Sequence, residues 1–519
     1  MSGMIMLQGT ASNVGKSALA TALCRIFKQD GLRVAPFKSW NMALNSYVTP
    51  CGGEIGRAQG EQALACGIEP SVDMNPVLVK PKGEGESQVI IRGKPWKDRR
   101  VGEGEKEYRK VCLEAISQSL QNLKEQFDCL VIEGAGSPAE INLRQGDMAN
   151  MRIALMADAP VLLVTDVDRG GALASAVGTM ILLTPRERDQ VAGFIFNKFR
   201  GDLSILKPGL SIVEERTGKP VIGVVPHMRG LNLAAEDGVV LEERNKERGG
   251  PRGDKGKIDL AVINLPRISN FTDFDTLGEE PGVCLRFVDR PEDLGSPDAI
   301  IIPGSKNSVS DLIHLHEKGM VHSIKRAAQR GIPLIGICGG YQMLGRELRD
   351  PLKTESSHGS LTGLGLLDTV TSFYPEKQTC QVEAKVEGLS QLLPSLEKEV
   401  LQGYEIHMGQ TELLEGARPA FCIQKRSGRE IFTPDGAVGK KGFVFGTYLH
   451  GIFDNYSFRK GFLKYLFEKK GLNLPEGEEI TCRKRLDKTY DFLAQVVREN
   501  LDMDYIYDLV GATSKVQGK

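Results

Sequence analysis

Short runs rich in Val, Ile and Leu recur along this sequence, separated by longer amphipathic stretches. In the first half the runs are Met4–Leu7, Cys129–Ile132, Pro160–Thr165, Val191–Phe196 and Val221–Val225. A strand that is apolar on both faces belongs inside a parallel sheet, and parallel neighbours need crossovers between them. Lys16–Lys28, Glu105–Phe127, Gly171–Leu183 and Leu203–Thr217 have the length and patterning of such helices. The first half therefore reads as a doubly wound α/β sheet. A second series, Ile258–Leu265, Val283–Val288, Ala299–Ile302, Leu334–Ile337 and Phe443–Leu449, predicts another α/β domain of the same kind. Between them, Arg244–Lys257 is RNKERGGPRGDKGK, which has no apolar member and cannot join a core. After Asn455 the pattern turns charged and helical. The expected organisation is a first domain over 1–243, a linker over 244–257, a second domain over 258–456 and a helical C-terminal extension over 457–519.

Composition narrows the function classes. Lys and Arg total 66 against 67 Asp and Glu, a net charge of −1, and no basic block stands out, which argues against a nucleic-acid partner. No apolar run of about 18 residues suggests a membrane span. Met1 to Gln8 lacks the positive flank and apolar length of a signal peptide. The ten Cys show no CxxC pairs or finger-like His spacing, so neither a disulfide framework nor a structural zinc is expected and a reducing, cytoplasmic setting fits. Much of the excess among the 59 Gly falls just after apolar runs, where α/β proteins place ligand-binding turns.

The first such turn is Gly9-Thr10-Ala11-Ser12-Asn13-Val14-Gly15-Lys16-Ser17, followed by a helical pattern. Glycines let backbone N–H groups fold around phosphate oxygens, Lys16 supplies charge for the β- and γ-phosphates of ATP, and Ser17 suits Mg²⁺. Five residues separate the two glycines, one more than in the common form of this loop. Further along, Lys38 follows the strand-like Arg33–Phe37 and can reach a transferring phosphate, the plain alternative being a surface lysine. Glu133 ends an apolar run before Gly134-Ala135-Gly136, which aims its carboxylate at the edge of the sheet where Mg²⁺ and phosphates bind. Asp166, Asp168, Asn197 and Lys198 also close strands. They serve there either as ligands of Mg²⁺, substrate or adenine, or as ordinary loop formers.

The second half carries a different signature. In Gly336-Ile337-Cys338-Gly339-Gly340, an apolar strand runs into Cys338 and a helix pattern follows. G-x-C-x-G is the thiol counterpart of the G-x-S-x-G elbow: small neighbours permit a sharp turn that projects the nucleophile, and the helix N-terminus favours a thiolate. Among seven His, His450 ends a strand-like run and lies 112 residues downstream (338 to 450), a plausible separation for partners on neighbouring strand ends. His314, His316 and His322 fall in a polar helix, while His407 fits a substrate loop. Gly304, after the strand-like Asp298–Pro303, and Gly339 offer backbone N–H groups for an oxyanion hole.

These segments carry a resemblance. GICGGYQMLG with YLHGIFDN is similar to class I glutamine amidotransferase domains, in the branch shared by cobyrinic and cobyric acid synthases. GTASNVGKS with Lys38 and IEGAG resembles the dethiobiotin synthetase-like fold. KSWNMALNSYVT, GGEIGRAQGEQA, MNPVLVKP, EGAGSPAEINL, TDVDRGGALAS and FNKFRGD resemble the cobyric acid synthase family from about Met4 to Asn455. The resemblance implies an ATP- and Mg²⁺-dependent amide synthetase domain joined to a glutaminase. Their substrates would be glutamine and the b, d, e and g carboxylates of an (adenosyl)cobyrinic acid a,c-diamide, a corrinoid. It implies ATP binding by Gly9, Thr10, Asn13, Gly15, Lys16, Ser17, Lys38 and Asn197, metal binding by Ser17 and Glu133, and catalysis by Cys338 and His450. A homo-oligomer stays open. Many class I relatives place a Glu two residues after the His; here that position is Ile452, so the third member of the site is unassigned. An a,c-diamide synthase, an amidotransferase for a cell-wall precursor, and a partitioning-type nucleotide switch remain as alternatives.

Overall fold

The computed structural model describes residues 3–228, 256–475 and 482–512, apart from positions 84, 101, 357, 394–395 and 397–398. Most of the expected linker thus lies outside the described residues. The first domain is built on six parallel strands: β1 (Gly3–Gly9), β2 (Val34–Phe37), β3 (Cys129–Glu133), β4 (Val161–Asp166), β5 (Val191–Phe199) and β6 (Val221–Pro226). Their order is β6-β5-β4-β1-β3-β2. The chain enters at the centre and later strands add on both sides, so the crevice at the carboxyl end of β1 lies at the topological switch point. Helix α1 (Lys16–Gln29) leaves this crevice and α2 (Arg57–Cys66) flanks it.

The second domain repeats the plan with β7 (Ile258–Ile263), β8 (Val283–Val288), β9 (Ala299–Ile302), β10 (Leu334–Ile337) and β13 (Val444–Thr447), ordered β8-β7-β9-β10-β13. A short antiparallel strand, Ala437–Val438, closes the edge. Helix α3 (Ser308–Glu317) follows β9, and α4 (Gly339–Leu344) starts directly after Cys338. The intervening segment forms a long antiparallel hairpin of β11 (Thr369–Val386) and β12 (Val400–Leu413), with its register broken between Phe373 and Gln378. A further, mixed sheet belongs to the first domain: Trp40–Met42 pairs parallel with Val77–Gly83, and Glu86–Ile91 and Lys94–Arg100 follow antiparallel. Neither follows from the apolar runs.

The tail divides between the two cores. Helix α5 (Tyr456–Lys470) buries Phe458, Phe462, Leu463 and Phe467 in the second. Helix α6 (Cys482–Asn500) returns to the first, where Tyr490, Leu493, Ala494 and Val497 form one helical stripe and the last three share a core with Leu19 and Leu23 of α1. Arg25 of α1 pairs with Asp491 at 2.7 Å and Asp487 at 3.1 Å. Helix α7 (Met503–Leu509) completes the strap, and Val510 O presses so closely on Gly3 that a Cβ there would lie 2.1 Å from it. Among the described residues no helix is long and apolar enough to cross a membrane.

Candidate active sites

The loop after β1 folds as its glycines require. Gly15 has φ 98°, and a Cβ on it would sit 2.2 Å from Asn197 Nδ2; one on Gly9 would sit 2.6 Å from Ala11 O and 2.9 Å from Lys16 Nζ. Asn13 is also left-handed, at φ 60°. The loop therefore closes over its own lysine, whose ammonium donates to Gly136 O at 3.1 Å and Ala11 O at 3.4 Å. Thr10 Oγ1 donates to Thr165 Oγ1 at 3.2 Å, and Asn197 Nδ2 to Val14 O at 2.8 Å, leaving Asn197 Oδ1 buried without a partner.

Glu133 is the hub of this crevice. Its carboxylate, fully enclosed at 1% exposure, accepts from Ser17 Oγ at 2.8 Å, Lys38 Nζ at 2.9 Å and Gln62 Nε2 at 2.7 Å. Burial raises its pKa, but the Lys38 charge and these three hydrogen bonds outweigh that and leave it lowered. Gln62, on α2, was not singled out by sequence; a glutamine inside an alanine-rich helix gives no local signal. The strand-end Asp166 and Asp168 are tied up by Lys198 at 2.8 Å and Arg200 at 2.8 Å, and Lys198 also donates to Asn13 O, so this group braces the loop from β5. A phosphate cradle, a lysine, a serine hydroxyl and an ionised carboxylate have the chemistry to hold ATP, and Ser17 and Glu133 are the side chains that would hold Mg²⁺. No cluster of three or more metal-binding side chains occurs among the described residues, so phosphate oxygens would complete such a shell.

In the second domain, β10 delivers Cys338 with φ 50° and ψ −105°, a strained elbow that α4 continues. Only glycine fits around it: a Cβ on Gly340 would lie 1.9 Å from Ile302 O, and one on Gly339 2.8 Å from Ser305 N. The turn carrying Gly304 is thereby pressed onto the elbow, and Gly304 also abuts His450, whose Cε1 would be 3.2 Å from an added Cβ. His450 is wholly buried. Its Nδ1 lies 2.7 Å from Asp273 Oδ2, while Nε2 is turned toward the Cys338 thiol with no conventional partner. Burial alone would lower the imidazole pKa, but Asp273, with a lesser contribution from Cys338, pushes it up to about 10.

Asp273 supplies the acid that position 452 does not. Ile452 is buried in a one-turn helix, whereas Asp273 comes from another one-turn helix, Phe271–Phe274, beyond β7 and also accepts from Gly451 N at 3.2 Å and Tyr404 OH at 3.4 Å. Tyr404 stacks on the His450 ring with centroids 5.0 Å apart. Asp273 is 177 residues from His450, so spacing could not reveal it; its position between Phe271 and Phe274 is the only hint of burial. His407, expected in a loop, lies in β12 and stacks on Tyr448 at 3.7 Å; the strand alternates polar and apolar residues and so gave no apolar run. His314, His316 and His322 sit on α3 and the following helix Met320–Gln329, away from Cys338.

The first domain reaches the second close to the Cys338 site. Ser46 N donates to Asn270 Oδ1 at 2.9 Å and Phe271 N to Asn45 Oδ1 at 3.2 Å, two residues from Asp273. Lys80 of the first domain reaches the cavity beside Cys338.

Comparisons with known proteins agree with this architecture. Residues 5–241 match the CobQ/CobB/MinD/ParA nucleotide binding domain and residues 259–458 the CobB/CobQ-like glutamine amidotransferase domain. Over 98% of its length the chain is 51% identical to a cobyric acid synthase of Desulforamulus reducens, covering 98% of that protein. It is 52% identical to one of Pelotomaculum thermopropionicum, covering 97%, and 50% identical to one of Moorella thermoacetica, covering 98%. With half of all positions identical across both domains and the tail, the chain belongs to the cobyric acid synthase family of glutamine-dependent amidoligases.

Proposed function

We propose that this enzyme amidates the b, d, e and g carboxylates of (adenosyl)cobyrinic acid a,c-diamide, using ATP and the amide nitrogen of glutamine, to give (adenosyl)cobyric acid. The observation that carries the reading is that one chain holds both a Cys338–His450–Asp273 arrangement and a phosphate loop closed over Lys16 beside Glu133. His450 takes the Cys338 proton and, with its pKa held up by Asp273, keeps it while the thiolate attacks the carboxamide carbon of glutamine. The N–H groups of Gly304 and Gly339 face the developing oxyanion. Imidazolium then protonates the leaving nitrogen, ammonia departs, and water cleaves the glutamyl thioester to glutamate and free thiol.

In the first domain the loop amides, Thr10, Asn13 and Lys16 hold the ATP phosphates, and Asn197, with one oxygen unsatisfied, is available to the nucleotide. Mg²⁺ held by Ser17 and Glu133 would neutralise phosphate charge. Lys38, which donates to Glu133 at 2.9 Å, would hold charge on the transferring phosphoryl group. A corrinoid carboxylate attacks the γ-phosphate, ADP leaves, and ammonia replaces phosphate on the acyl carbon to give the amide. Incubation of the a,c-diamide with ATP and glutamine should give a product with four further amides. A single further amide, or amidation of cobyrinic acid at a and c instead, would refute the reading.

A further inference from the structure

Three lysines, Lys80, Lys306 and Lys377, line the cavity that holds Cys338, and Glu355 lines it too. Two of them are satisfied. Lys80 Nζ donates to Glu54 Oε1 at 2.7 Å and to Ser46 Oγ at 2.8 Å, and Lys377 bonds the other oxygen of Glu54. Lys306 differs. It is 8% exposed, and among the described residues its ammonium has no hydrogen bond and no ion pair within 4.0 Å; only its backbone N–H is used, toward Arg267 O. Burial pushes its pKa down to about 8, Glu355 opposing and Lys377, Lys82 and Lys80 adding to the effect. Glu355 is in the complementary state: burial lifts its carboxyl pKa, and Lys306 and Lys82 only partly offset this. A buried charge without a partner is costly and is retained where a ligand supplies the counter-charge.

The backbone explains the placement. Lys306 stands two residues after Gly304 on the turn from β9 into α3, and the Glu355 carboxyl lies against the Ser308 amide at the start of α3. One rigid turn thus carries both the glycine beside the nucleophile and an unmatched cation, and the Glu355 carboxyl lines the same cavity. Glutamine offers a carboxylate and an ammonium on its α-carbon in addition to its reacting amide. We propose that Lys306 binds the α-carboxylate of glutamine and that Glu355 faces its α-ammonium, so that the pocket selects the free amino acid by charge. This rests on the reading of Cys338 as the thiol that opens glutamine.

The test compares L-glutamine with its α-methyl ester, which lacks the carboxylate charge, in the full-length wild type, Lys306→Met and Lys306→Arg. Lys306→Met should raise KM for glutamine about 10- to 100-fold, the worth of one charge-assisted hydrogen bond, with little change in kcat. Its kinetics with the ester should match wild type, and Lys306→Arg should recover most of the loss. Ammonium-supported amidation, unchanged in both variants, verifies folding. Equal losses with glutamine and ester, or an unchanged KM for glutamine, would overturn the assignment. Cys338→Ala run alongside separates the two claims: if it still hydrolyses glutamine the site itself is misread, and if it is inactive while Lys306→Met makes no distinction, only the carboxylate assignment falls.

Discussion

Replacing Asp273 by Asn keeps the shape of the side chain and removes the charge behind His450. The imidazole is wholly buried, with Asp273 Oδ2 2.7 Å from Nδ1, and its pKa stands at about 10 against an ordinary value of 6.5. At about 1.4 kcal/mol per pK unit, that is on the order of 5 kcal/mol in favour of imidazolium, most of it from Asp273. With Asn in place, only the lesser contribution of Cys338 opposes burial and the pKa falls, so His450 holds the thiol proton far less well at neutral pH. Glutamine hydrolysis at pH 7 should drop about 10²- to 10⁴-fold. The upper limit is the cost of the same change in a serine triad, and a thiol, being more acidic than a hydroxyl, should lose less. Activity should then climb with pH, where wild type is flat. Stability follows with a defined sign. A raised histidine pKa stabilises fully below about pH 6.5 and the contribution is lost as pH rises through about 10, so the Tm deficit of the variant should be greatest at pH 6 and shrink toward pH 10. A coupled assay for glutamate and thermal melts across pH measure both. Hydrolysis within threefold of wild type with an unshifted pH profile would refute Asp273 as the residue that positions and charges His450.

Other sites give sharper structural tests. Glu133→Ala leaves the Lys38 ammonium, 3% exposed, without its carboxylate, and should cost about 3–5 kcal/mol in denaturant unfolding and abolish ATP turnover, whereas Glu133→Gln should spare more of the stability than of the turnover. Gly340→Ala puts a methyl 1.9 Å from Ile302 O and must shift the elbow; loss of glutaminase with retained ammonium-supported synthesis is the expected outcome by paired assays. Leu493→Ala, in the tail but inside the first domain's core, should destabilise by about 2–5 kcal/mol; a neutral effect would show that the strap is not part of that core.

The parallel strands were legible because burial on both faces leaves uninterrupted apolar runs: β8, β9 and β10 coincide with the runs that announced them, β3 extends one residue further, and β4 is offset by one residue at both ends. The hairpin of β11 and β12 was not. Its strands alternate, carry a polar stretch at the register break near Lys377, and place charges such as Glu405 inside, where Arg426 pairs with it at 2.8 Å. Buried charges at the domain boundary were equally silent, since Glu54 and Lys80 look like surface residues until the pair is seen. At the sites, motif residues stood out because glycines mark where backbone must approach backbone, as at Gly15 and Gly340. Partners fixed only by folding did not: Asp273, Gln62 and Lys306 reach their sites from distant loops, turns or helices, and no spacing encodes them.

The central claim is that nitrogen released at Cys338 becomes the new amides of the corrinoid. Wild type and Cys338→Ala given the a,c-diamide, ATP and amide-¹⁵N glutamine in an unlabelled ammonium bath, with products read by mass spectrometry, test it directly. The account predicts four ¹⁵N amides from wild type, and from Cys338→Ala four unlabelled amides drawn from the bath. Unlabelled product from wild type, label in the Cys338→Ala product, or a count other than four would contradict it.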